Sequence, residues 1–192
     1  MTGLTQHHST LEVVLVHWPV VNKHGDIIGS AVTNLDIHDI ARACKTFGVH
    51  RYWIVTPFDE QQKLVGEITR HWTSGYGAKA NPDRQNALEL VHVRTSIDEV
   101  VDEMQGYYGV NPQTIVTCAS PQANMLGYDE VKKNITEDRP VLLMFGTAWG
   151  LAPEMMHKAD ATLPPIRGEG EFNHLSVRSA VSIILDRLLG KY

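Results

Sequence analysis

The chain predicts an α/β fold, a mostly parallel sheet flanked by helices, and three observations carry that prediction. Short runs rich in β-branched and aromatic residues alternate with segments of helical apolar spacing from Leu11 to Leu189, the pattern of strands joined by crossover helices. Val141 to Phe145 is apolar throughout, as a strand covered on both faces must be. Three strand ends run into turn-forming segments: Thr117-Cys118-Ala119-Ser120, Gly146-Thr147-Ala148-Trp149-Gly150 and Pro164-Pro165-Ile166-Arg167-Gly168. Open parallel sheets bind ligands beyond the carboxyl ends of their strands.

In chain order, residues 1–10 read as a frayed end, with His7 and His8 solvated. Leu11 to Val16 is the first strand, closed by His17-Trp18-Pro19, and residues 22–26 form a turn. Asp36 is the expected N-cap of a helix whose buried stripe is Ile37, Ile40, Ala41, Cys44 and Phe47, ended by Gly48. Arg51 to Thr56 is a strand stopped by Pro57, and Phe58 to Trp72 is helical. Residues 73–86, with Gly75, Tyr76, Gly77, Lys79, Pro82 and Arg84, break the pattern and read as a loop, either solvated or ligand-contacting. Leu88 to Val93 is a third strand. Ser96 to Glu99 is a capping box opening a helix that carries Val100, Val101 and Met104. Thr114 to Cys118, Val141 to Phe145 and Ala161 to Leu163 are the remaining strands. Helices are expected over Tyr128 to Ile135, Pro153 to Lys158 and the C-terminal stretch carrying Val177, Val181, Ile184, Leu185 and Leu188.

At 192 residues the chain fits one domain, 1–192. No apolar run reaches the length of a membrane helix, and the polar start has no signal-peptide core, so a cytoplasmic protein is expected. Cys44 and Cys118 read as buried free thiols. Ten histidines are scattered without ligand spacing, so no metal is expected, and Asn134-Ile135-Thr136 is a chance glycosylation match. A net charge of −5 does not favour nucleic acid, so an RNA partner would need a local basic surface, for which His71, Lys79, Arg84, Arg42 and Arg51 are candidates. No P-loop, dinucleotide turn or hydrolase elbow is present. The residues alone describe a glycine- and proline-lined pocket built from late loops.

Four segments narrow that description: Asn34 to Arg42 with Thr56-Pro57, Phe145 to Leu151, Leu163 to Gly168, and Asn173 to Ala180. Together they resemble the SPOUT superfamily of S-adenosylmethionine-dependent RNA methyltransferases, in its small single-domain bacterial branch. The resemblance implies a C-terminal trefoil knot, a homodimer, and a tRNA or rRNA substrate methylated on a ribose 2′-oxygen or a base nitrogen. It implies that the cofactor is held by Thr117, Ala119, Phe145, Gly146, Thr147, Gly150, Leu151, Leu163, Pro165, Ile166, Arg167, Gly168, Asn173, His174, Leu175 and Ser176, and that Arg42 is the catalytic residue. The chain departs from the 2′-O-methylating pattern in having Asp36 six residues before Arg42, Thr147-Ala148 where a glutamate is usual, and His174 before Leu175-Ser176. Two alternatives stand beside this reading: Arg42 as a surface arginine paired with Asp39, and the whole protein as a non-catalytic knotted RNA- or protein-binding module. For Arg167 and Arg178, salt bridges and substrate contacts are both open.

Overall fold

The computed structural model describes residues 9–137 and 139–192, so the reading of His7 and His8 lies outside the described residues. Six strands form one sheet: β1 (Leu11–Val16), β4 (Tyr52–Val55), β5 (Val91–Arg94), β6 (Gln113–Thr117), β7 (Val141–Gly146) and β8 (Ala161–Leu163). Their order is β5-β4-β1-β7-β6-β8 and every neighbouring pair is parallel. The chain builds outward from β1 on one side, crosses to lay down β6, returns to seat β7 between β1 and β6, and ends with β8 on the outer edge. The carboxyl ends of β7, β6 and β8 are thereby neighbours. β7 is interior, as its apolar run requires.

Helices cover both faces. On one lie α1 (Asn34–Phe47), α2 (Asp59–Thr73), α4 (Pro82–Leu88), α6 (Tyr128–Thr136) and α8 (Val177–Leu189), packed over Leu11, Val13, Leu15, Tyr52, Leu143 and Phe145. On the other, α5 (Ile97–Tyr108) and α7 (Pro153–Lys158) cover Val14, Val16, Trp53, Leu142 and Met144. Each such aliphatic side chain, removed from water, contributes about 1.5–3 kcal/mol. The second face also buries Glu12. Its carboxylate accepts from Trp53 Nε1 at 2.5 Å and Tyr108 Oη at 2.9 Å and lies 3.9 Å from Arg51, while burial raises its pKa. Arg51, stacked 4.6 Å from Tyr107, is thus committed to this cluster. It is not grouped with the other cations named above for RNA.

Local chemistry moved some boundaries. The cap of α1 is Thr33, whose Oγ1 accepts from the Asp36 amide at 3.2 Å and donates to the Asp36 carboxylate at 2.6 Å; Asp36 is a first-turn residue instead of the cap. Ser96 caps α5 as expected, but Glu99 turns to the Thr95 amide, 2.9 Å away. Residues 73–86 are not a loop. They form α3 (Tyr76–Ala80) and α4, because Asn81 caps the Arg84 amide at 3.0 Å and Pro82 takes the first helical position. The third strand therefore starts at Val91, not Leu88. A two-stranded ribbon, β2 (Val20–Val21) and β3 (Ile27–Ile28), brackets the expected turn, whose Asn22 Oδ1 accepts from the His24 and Asp26 amides.

Candidate active site

The site is built at the carboxyl edge of β7, β6 and β8. Leaving β7, the chain reverses within residues 146–151. A Cβ on Gly146 would lie 2.6 Å from the Leu151 nitrogen, so only glycine lets the turn close. Gly150 takes φ +116° and Ala148 φ +52°, and the Gly150 amide donates to Thr147 O at 2.9 Å. The β2–β3 ribbon grips this turn: the Trp149 amide donates to Val21 O, and the Val21 amide to Gly150 O, both at 3.0 Å.

Thr147 is anchored by a chain of side chains that the sequence reading did not foresee. Thr147 Oγ1 donates to Val16 O at 2.9 Å, which uses its only proton. Ser30 Oγ, 2.5 Å from Thr147 Oγ1, must then donate to it, and His17 Nδ1, 2.9 Å from Ser30 Oγ, must donate to the serine. The imidazole is held as the Nδ1–H tautomer, with a bare lone pair on Nε2. His17 is fully buried, and burial lowers its pKa to about 4 against a weaker opposing pull from Asp36. The only signal for His17 was its position directly after the first strand.

The other two loops meet across β6 and β8, where Thr117 pairs with Leu163. Thr117 Oγ1 donates to Met144 O at 3.1 Å, Tyr128 Oη donates to Pro164 O at 3.4 Å, and Asn173 Nδ2 reaches Ala119 O at 2.8 Å. Pro164 and Pro165 have no amide proton, and among the described residues the amides of Ile166, Arg167 and Gly168 donate to no protein group. The side chains of Phe145, Leu151 and Leu163 are buried in the cores, so these residues face a ligand with backbone only; Thr117, Gly146, Thr147, Gly150, Pro165, Ile166 and Asn173 are half-buried, and Ala119, Arg167, Gly168, His174, Leu175 and Ser176 are exposed. Cys118 is half-buried, not buried, and accepts from the Ser120 amide at 3.5 Å.

Arg42 is exposed on α1, eight residues past Asn34, about 12 Å along the helix axis from the helix start. Among the described residues no ion pair joins it to Asp39. Arg178, at the start of α8, takes that carboxylate at 3.4 Å and the Asp36 carboxylate at 2.9 Å, because Asp36 and Asp39 face α8. A salt bridge is thus the role in which Arg178 is found. His174 packs edge-on against Phe172, with ring centres 5.3 Å apart. Among the described residues no group of three His, Cys, Asp or Glu side chains gathers for a metal, and no helix is long and apolar enough to cross a membrane.

Known proteins share this arrangement. The chain is 46% identical over 180 residues to a tRNA (guanine-N(1)-)-methyltransferase of Oleidesulfovibrio alaskensis and 41% identical over 192 residues to one of Nitratidesulfovibrio vulgaris, but it spans only 42% and 45% of their lengths. An uncharacterized protein of Aquifex aeolicus is 38% identical over 180 residues, 93% of this chain and 88% of that one. Among solved structures, the A. aeolicus TrmH/SpoU tRNA modifying enzyme superposes with TM-score 0.58 at 18% identity, covering 94% of this chain and 74% of that one. The SpoU methyltransferase AviRb of Streptomyces viridochromogenes, in complex with AdoMet, does so with TM-score 0.56 at 17% identity, covering 93% and 56%. The fold is that of the SPOUT-class enzymes. A sequence profile described as SAM-dependent RNA methyltransferase matches residues 10–190, nearly the whole chain, and the chain belongs to that family.

Proposed function

We propose that the loops at the ends of β6, β7 and β8 hold S-adenosylmethionine and that Arg42 acts on the nucleotide to be methylated, in tRNA or rRNA. The observation that carries this is the closed Gly146–Leu151 turn beside the free amides of residues 166–168, at the edge where parallel sheets bind ligands. When bound, the cofactor supplies a methyl group already activated on a sulfonium. The protein's part is alignment and electrostatics. The turn and Asn173 fix the loops. The Arg42 guanidinium, placed beside the accepting group, favours its deprotonated form. tRNA is the class named for two of the longer relatives and for one structural neighbour.

Because Arg42 lies about 12 Å along α1 from the helix start, we place it in a homodimer formed across the outer faces of α1 and α8, where it serves the partner's loops. Support comes from the 59% exposed Leu35 and a cavity of about 460 Å³ between the helices, lined by Asp39, Ser176, Arg178, Ser179, Ser182 and Ile183. The same reading includes a C-terminal trefoil knot that tucks α8 under the loops, and action in the cytoplasm. Arg42→Ala should abolish methyl transfer while leaving calorimetric affinity for S-adenosylmethionine within about twofold, a difference under 0.5 kcal/mol. A large loss of affinity would show that its role is binding. Nucleoside mass spectrometry of tRNA and rRNA fractions from a deletion strain identifies the target, and no lost modification in either fraction would favour the non-catalytic alternative.

A further inference from the structure

On the α1 face of the sheet, α1 packs against both α8 and α4, and α2 packs against α4. On the α2 flank is a cavity of about 510 Å³ lined by Asn34, Leu64, Glu67, Ile68, His71 and Trp72. Trp72 is one of its walls. The Arg84 guanidinium sits 4.6 Å over the indole, His38 and His71 meet it edge-on at 5.4 and 5.1 Å, and a Cβ on Gly77 would come within 2.6 Å of the ring. His38 Nδ1 and Arg84 Nε are buried and have no partner among the described residues. Burial, then Arg84, press the His38 pKa down against an opposing pull from Asp39. Exposed Tyr76 and Lys79 on α3 lie beyond, since α3 packs on α2 and α4. By contrast, Arg51, Arg94 and Arg178 are each held by carboxylates elsewhere. In a chain of net charge −5, Arg84 and Lys79 thus stand beside an aromatic floor whose rim also carries Glu67.

We propose that this surface docks the RNA substrate as an unpaired segment, one base entering the cavity and its flanking phosphates lying on Arg84 and Lys79. The inference rests on RNA being the substrate. Leu64, Ile68 and Trp72 match the apolar face of a base, while Glu67 and Asn34 supply the polar edge that a base needs. A paired A-form helix keeps its bases stacked inside and cannot fill the cavity.

The test is fluorescence anisotropy of the full chain with a short labelled single-stranded RNA and with the matched duplex, across a salt series. Arg84→Gln and His71→Ala should each weaken single-strand binding about five- to tenfold near 50 mM salt, and Arg84→Gln should flatten the log–log salt slope by about 0.7. Lys158→Gln, on α7 across the sheet, should change neither, and calorimetric affinity for S-adenosylmethionine should be unchanged in all three, showing an intact fold. If wild type binds RNA but Arg84→Gln and His71→Ala bind it equally well, the docking surface is elsewhere and the proposal fails while the RNA reading stands. Equal affinity for the duplex overturns the unpaired-base arrangement. If wild type binds neither RNA, the proposal and the reading beneath it fall together.

Discussion

In the chain from His17 through Ser30 to Thr147, each proton has one place to go, and that makes the imidazole a testable feature. Nitrogen NMR should find His17 neutral as the Nδ1–H tautomer throughout the neutral range; an imidazole protonating above pH 6 would disprove the assignment. The sign of the linkage follows. A folded pKa of about 4 against an unfolded value of 6.5 means that the unfolded chain binds the extra proton first. Stability is therefore full above pH 6.5 and falls as pH drops toward 4, by about 3 kcal/mol in all, measurable by denaturant titration. Ala148 is a second case. At φ +52° its side chain crowds the backbone, so Ala148→Gly should raise stability by about 0.5–1 kcal/mol and with it the melting temperature. Gly146 and Thr147 were legible because glycines after an apolar strand announce a turn. His17 and Ser30 were not, since the bonds joining them to Thr147 span 13 and 117 residues.

Among the elements, the long loop 163–176 is held near its start by Tyr128 and near its end by Asn173. Asn173→Ala removes the bond to Ala119 O and should weaken S-adenosylmethionine binding about tenfold with little change in melting temperature, as calorimetry beside thermal denaturation would show. A large drop in melting temperature would instead make Asn173 structural. Most strands and helices were readable from period and punctuation, because their buried stripes are long. The exception is residues 73–86. Gly75, Gly77 and Pro82 read as breakers, yet the glycines let α3 pack close to α2, and Pro82 starts a helix that Asn81 caps. The same residue types end a helix or begin one depending on what lies beside them in space. Asp36 illustrates this: a good cap by type, it is needed as the partner of Arg178 on α8, while Thr33 does the capping.

For the whole molecule, the proposal that Arg42 serves the partner's loops has a consequence that mixing can check. An Arg42→Ala chain keeps its loops, and a Gly146→Ala chain keeps its arginine. If Arg42 serves the partner's site, mixed dimers contain one complete site and should recover a substantial share of wild-type methyl transfer, although each variant alone is inactive. No recovery in mixed dimers verified by mass spectrometry would place Arg42 in its own chain's site. The acidic total charge gave no hint of where cations meet aromatic rings; the folded chain sets Arg84 and His71 against Trp72 and commits Arg51 to Glu12 on the other face of the sheet.

By itself the sequence determined the α/β class, the placing of the turn-rich loops after β6, β7 and β8, and, through the pattern of those loops, the methyltransferase family. These are local signals: a period of two or 3.6, a glycine where no Cβ fits, a proline where no amide is needed. Only the tertiary structure decided that β7 enters between β1 and β6, that a buried histidine braces the Gly146–Leu151 turn, and that α1 gives Asp36 to Arg178 and Asn34 to the Trp72 cavity. Those outcomes depend on contacts between residues far apart in sequence, which burial and hydrogen-bond satisfaction select only after the sheet has formed.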